Sequence, residues 1–116
     1  MTTVTFHSEG SRLTGFHVSG HSGYAEEGAD IVCATITSAV RLTECAVNDV
    51  LGLGASVKVK ERDASITLKL PGGLSESNEE LCQTLLASLM VYLSQLQEEY
   101  PDYLIVCDAD DADAQS

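Results

Sequence analysis

From Ser77 to Tyr100 the chain carries neither glycine nor proline, and its leucines recur at helical spacing. Leu81, Leu85, Leu89, Tyr92 and Leu96 form the stripe of an amphipathic helix. Ser77 and Glu80 read as a capping box at its start, and Pro101 ends it. A helix of this length needs a surface to bury its stripe, so the rest of the chain must supply one. Cys82, Leu86, Met90 and Leu93 give the helix a second apolar stripe. Two stripes suit either a deeply buried core helix or one that also meets another chain.

The surface comes from short alternating stretches. Val4 and Phe6 face one way in Thr3–His7, and Phe16 and Val18 do so in Arg12–Val18. Ser8-Glu9-Gly10-Ser11 joins these two as a hairpin. Val57 and Val59, then Ile66, Leu68 and Leu70, make a second hairpin across Glu61-Arg62-Asp63, and Pro71-Gly72-Gly73 breaks the chain after it. Tyr103–Cys107 reads as a last strand. Between the hairpins, Asp30 to about Leu51 is predicted helical. Val32, Ile36, Val40, Ala39, Ala46 and Val50 lie on its apolar face, Arg41, Glu44 and Asn48 face water, and Gly52-Leu53-Gly54 stops it. The order ββαββαβ predicts an α+β two-layer sandwich, an antiparallel sheet carrying two helices on one face. Residues 1–107 form the expected single domain, and 108–116 an acidic disordered tail.

The chain has 116 residues, enough for one core, and 44% of them are apolar. Six basic residues against 18 acidic ones give a net charge of −12. Such a chain repels phosphate backbones, which argues against direct nucleic-acid binding and suits a basic protein partner. No apolar run reaches membrane-spanning length, and Met1–Gly10 has no basic start or apolar stretch of a leader. The cysteines at 33, 45, 82 and 107 form no Cys-x-x-Cys unit and fall on helical and strand patterns. They read as free thiols in a cytoplasmic protein.

The chemistry concentrates between the first hairpin and the first helix. Gly20-His21-Ser22-Gly23-Tyr24 is followed by Gly28-Ala29-Asp30-Ile31-Val32-Cys33-Ala34. Gly20, Gly23 and Gly28 describe a tightly folded loop, and Asp30 is suited to N-cap the helix. Cys33 would then lie in the first turn, where the helix dipole and nearby N–H groups favour a thiolate. An imidazole at His21 beside it completes the minimum equipment for attack on a carbonyl carbon. Asp30 either caps the helix or orients His21. A free cysteine on an apolar helix is ordinarily a small buried hydrophobe, and a loop histidine is ordinarily solvated. Two other readings use the same residues. His7, His17, His21 and Cys33 offer metal-ligand types, although without paired ligand spacing. A non-enzymatic interaction protein would keep His21 and Cys33 as structural residues.

The string Gly20-His21 … Gly28-Ala29-Asp30-Ile31-Val32-Cys33-Ala34 resembles the ribosomal-processing cysteine protease family of bacteria, Prp. The resemblance extends over nearly the whole chain in length and element order. It implies a cytoplasmic, homodimeric cysteine endopeptidase that needs no cofactor or metal. The expected substrate is the basic precursor of large-subunit ribosomal protein number twenty-seven, cut to remove an N-terminal extension with bulky apolar residues before the scissile bond. Carried over by position, Cys33 is the nucleophile and His21 the acid/base. Asp30 is the motif aspartate, and Gly20 and Gly28 support the loop. The family often has serine four residues after the cysteine; this chain has Thr37, which keeps the hydroxyl, with Ser38 next.

Overall fold

A computed structural model describes residues 1–20, 27–62 and 64–110, with backbone alone at 27–30. The elements are β1 (Thr2–Glu9), β2 (Arg12–Ser19), α1 (Glu27–Glu44), a π-helical segment (Cys45–Val50), β3 (Ser56–Lys60), β4 (Ser65–Lys69), α2 (Glu76–Glu99) and β5 (Leu104–Asp110). The order ββαββαβ and the α+β two-layer architecture agree with the sequence reading.

The five strands lie in the order β3-β4-β2-β1-β5. The expected all-antiparallel sheet needs one correction: β5 runs parallel to β1, pairing Thr2 with Leu104 and Phe6 with Asp108. Chain direction explains this. β4 is antiparallel to β2 and β2 to β1, so β4 and β1 point the same way. α2 carries the chain back across the sheet, so β5 starts from the same end as β4. β5 also runs through Asp110, which places Asp108, Ala109 and Asp110 in the sheet rather than in the expected tail. Residues 111–116 lie outside the described residues.

The core forms where one sheet face meets both helices. Val4, Phe6, Phe16 and Val18 are fully buried against Val32, Ile36 and Val40 of α1 and Cys82, Leu86 and Leu93 of α2. Phe6 and Phe16 are cross-strand partners, with ring centroids 6.0 Å apart and planes tilted by 51°. Each such buried side chain contributes about 1.5–3 kcal/mol relative to exposure. A bulge at Thr14 shifts the β1–β2 register, and Gly15 follows it. A Cβ at Gly15 would stand 2.0 Å from the Leu68 carbonyl oxygen, so only glycine lets β2 lie this close to β4.

The buried stripe of α2 is Cys82, Leu86, Leu89, Leu93 and Leu96, largely the second of the two stripes. Leu81 and Tyr92 of the first stripe are each 48% exposed. The helix start also shifts. Ser75, not Ser77, is the N-cap, because its extended backbone lets its hydroxyl accept from the Asn78 N–H. At the end of α1 the helix widens instead of continuing regularly to Leu51: Leu51 N–H donates to Ala46 O, five residues back. Asn48, expected to face water, is half-buried. It brackets Ala55 by accepting from its N–H at 2.7 Å and donating to its carbonyl at 3.1 Å. Val50, expected on the apolar face, is 76% exposed beyond the widened turn.

Candidate active site

The candidate segment begins where β2 ends. Gly20 has φ +79°, and a Cβ there would meet the Met1 carbonyl oxygen at 2.5 Å. The turn out of β2 therefore requires glycine at this position. His21, the expected acid/base, lies outside the described residues, as do residues 22–26. The chain resumes as helix at Glu27.

That start revises two expectations. Gly28 belongs to the first turn of α1 rather than to the loop, and Asp30 is the fourth residue of the helix, not its N-cap. Cys33 consequently lies in the second turn. Its N–H falls after the four free N–H groups that open a helix. Helical Cα–Cβ bonds tilt toward the N-terminus, so the position still directs its side chain back toward that first turn.

Cys33 sits at the margin of the core. Val32 before it is fully buried, Ala34 after it is exposed, and Cys33 itself is half-buried. Thr37, one turn on, shares its face and is also half-buried. The other free thiols have different settings. Cys82 is buried in the core, and its thiol is pushed up, chiefly by burial and next by the Glu79 carboxylate, with Arg12 acting in the opposite sense. Cys45 is exposed on the π-helical segment, and Cys107 lies on β5.

Among the described residues of the metal-ligand reading, His7 and His17 do not join Cys33. His7 and His17 alternate with the core residues Phe6, Phe16 and Val18, which puts them on the sheet face turned away from the helices. His17 Nδ1 is 2.6 Å from Thr67 Oγ1 on that face. Cys33 belongs to the opposite layer. Among the described residues, no cluster of three or more His, Cys, Asp or Glu has metal-holding geometry.

Between α1 and α2 runs an open apolar groove of about 790 Å³, lined in part by Ala34, Ser38, Leu42, Leu85, Leu89 and Tyr92. Ala34, the neighbour of Cys33 in sequence, lines it, whereas Cys33 shares its face with Thr37. The sequence reading assigned Leu85 and Tyr92 to the core stripe and so missed this groove. The signal was present as the doubled stripe of α2, more apolar surface than one sheet face can cover.

Residues 1–105 match the family model described as cysteine protease Prp. The ribosomal processing cysteine protease Prp of Bacillus subtilis (strain 168) is 28% identical over 94 residues, covering 81% of this chain and 84% of that protein. The fold is similar to that of the S. aureus Prp crystallised with a substrate peptide, with TM-score 0.80 and 19% identity. That match covers 94% of this chain and all of the other. A Streptococcus mutans crystal structure matches with TM-score 0.82 and 22% identity, over 95% of each chain.

Proposed function

This chain belongs to the cysteine protease Prp family, and from that premise we propose that Cys33 is its nucleophile and His21 its acid/base, acting on the precursor of large-subunit ribosomal protein twenty-seven. The observation that carries the assignment is the position of Cys33. Of the four thiols, it alone lies in the family's motif string, and it stands half-buried in the second turn of α1 at the margin of the core. The reading as a non-enzymatic interaction protein falls away with membership of a protease family.

In this mechanism His21 takes the thiol proton, and the Cys33 sulfur attacks the scissile carbonyl carbon. The N–H groups that open α1, at Glu27–Asp30, supply donors for the oxyanion toward which the Cys33 position is directed. Collapse of the tetrahedral intermediate breaks the C–N bond, and His21 returns the proton to the departing amine. Water, deprotonated by His21, then hydrolyses the thioester and regenerates the thiol. No metal or cofactor takes part in these steps.

The substrate in this proposal is a basic precursor, consistent with an enzyme of net charge −12. The enzyme works in the cytoplasm, where its thiols stay reduced; no helix among the described residues is long and apolar enough to cross a membrane. It works as a homodimer, since Leu42 at 70% and Tyr92 at 48% exposure leave an apolar strip on the helix layer for a second copy to cover. Leu42→Glu should lower the solution mass from dimer to monomer in sedimentation analysis; an unchanged mass places the interface elsewhere. The test of function is incubation with the extended and the trimmed ribosomal protein, read by mass spectrometry. The extended form should lose its N-terminal segment and the trimmed form should stay intact. An uncut precursor would overturn the substrate assignment.

A further inference from the structure

The sheet has two open edges of opposite character. Of the six basic residues in the chain, Lys58, Lys60, Arg62 and Lys69 belong to the β3–β4 hairpin, and β3 is one edge of the sheet. From Leu70 to the C-terminus the sequence has ten carboxylates and no lysine or arginine. That half of the chain builds α2 and β5, and β5 is the opposite edge. The strand order thus separates the charges across the full width of the sheet.

The β5 edge is also grooved. A cavity of about 330 Å³ lies between β5 and α2, with Met90, Val91 and Val106 as its apolar surface and Glu98 and Asp108 as charged members of its lining. Val106 N–H donates to Gln97 Oε1 at 2.6 Å, so it points away from β1. Strand residues direct their backbone groups alternately to the two sides, so Asp108, two residues on, presents its backbone to the same outer side. No strand covers that side among the described residues. At β3 the lysines repel a cationic strand; at β5 the charge attracts one.

The groove also leads to the active-site end of the sheet. Leu104, the first residue of β5, pairs with Thr2, and Met1 packs against Gly20, the last described residue before His21. β5 and β2 flank β1, so the start of this edge is about 10 Å from β2, two strand spacings. Asp102 lies just before that start.

We propose that the groove between α2 and β5 is a docking surface for a lysine- and arginine-rich extended segment in the body of the protein that is cut. The segment lies along the outer edge of β5, its backbone meeting the strand and its cations meeting Glu98, Asp102 and Asp108. This holds the substrate by a part that cleavage does not remove and leaves its N-terminal extension free to reach Cys33. The identity of the occupant rests on the substrate reading above.

The test measures binding separately from cleavage. The probe is the mature, already trimmed ribosomal protein twenty-seven, titrated into the full chain at low and moderate salt. A short peptide carrying only the cleavage sequence measures activity. The variant combines Glu98→Gln, Asp102→Asn and Asp108→Asn, three exposed carboxylates. A control of equal charge change combines Asp49→Asn, Glu76→Gln and Glu80→Gln, also exposed and outside the groove. The groove variant should bind the mature protein about tenfold or more weakly, with a flatter salt dependence, while the control stays within about twofold of the parent. Peptide cleavage should be equal in all three. Equal binding by variant and parent, equal weakening by the control, or no binding to the parent overturns the docking surface. So does a loss of self-association in the groove variant without a loss of binding, which assigns the edge to a second copy. If the mature protein binds as expected but the parent cuts no precursor, the processing reading fails and the docking surface stands.

Discussion

The two helices cover the same sheet but are held to it differently. α2 is pinned by directional polar contacts along its length. Ser75 caps it, and the Gln83 side chain accepts from Leu13 N–H at 2.7 Å and donates to Leu13 O at 2.8 Å. Arg12 bonds both Glu79 and the Pro71 carbonyl, and Gln97 accepts from Val106 N–H. α1 joins the core through Val32, Ile36 and Val40. Among the described residues, the side-chain hydrogen bonds of α1 return to its own carbonyls, Thr35 to Ile31 and Thr43 to Ala39. Only past its end does Asn48 bracket Ala55. Apolar packing sets the depth of a helix without fixing individual atoms, whereas paired hydrogen bonds fix its register. The difference separates duties: α2 is the scaffold that locks the sheet, and α1 carries Cys33, the proposed nucleophile, on an element seated by packing.

Removing the proposed nucleophile gives the sharpest form of this comparison. Cys33→Ala should lower kcat by about 10⁴-fold or more and move the melting temperature little, because the side chain is small and only half-buried. Precursor trimming near the parental rate would remove Cys33 from the chemistry and leave α1 without its special role. His21→Ala comes next. Its kcat should fall by about 10²–10⁴-fold with KM nearly unchanged, as befits proton transfer; steady-state kinetics with a peptide substrate reads both.

α2 should behave in the opposite way. Gln83→Ala leaves both backbone groups of Leu13 without their partner in a half-buried setting, and should cost about 1–3 kcal/mol of stability. Turnover per folded molecule should stay within about twofold, since a smaller free-energy change than ~0.4 kcal/mol at the site is implied. Chemical denaturation and active-site titration measure the two quantities. A stable but inactive Gln83→Ala protein would collapse the division between the helices.

Much of this was legible in the chain. The hairpins and the Phe6–Phe16 pairing follow from strict alternation, and the helices from their apolar spacing. The features that escaped depend on partners distant in sequence or on small backbone choices. Which stripe of α2 faces the sheet is a rotation set by packing, because both stripes are apolar. The direction of β5 follows from the strand order, which no local pattern encodes. The π-helical widening accompanies the Asn48 bracket on Ala55, and asparagine on a helix otherwise reads as a solvent-facing residue. At the candidate site the motif was legible as a string. The start of α1 was not, because Gly28 weighs against helix while Glu27 and Asp30 favour a first turn.

That revised start decides the last and smallest effect. Asp30 was read as either a cap or an orienting residue, and the helix beginning at Glu27 takes it out of the N-cap position. It stands three residues before Cys33, a spacing that puts both positions on one helical face. Asp30→Ala should therefore cost less than the loss of a cap. About 0.3–1 kcal/mol of dipole stabilisation disappears, and the better helix propensity of alanine offsets part of it. Asp30→Asn loses the same charge without that offset. If Asp30 orients the imidazole, both variants should lose turnover alike, by about tenfold, because both remove the charge that steadies an imidazolium. If it caps, Asp30→Ala alone should be destabilised by more than about 1 kcal/mol while Asp30→Asn keeps full activity. Melting temperature and kcat, measured on both variants beside the parent, separate the outcomes. The first pattern is expected; the second would mean that the functional start of α1 lies at Asp30 and that Cys33 belongs to its first turn.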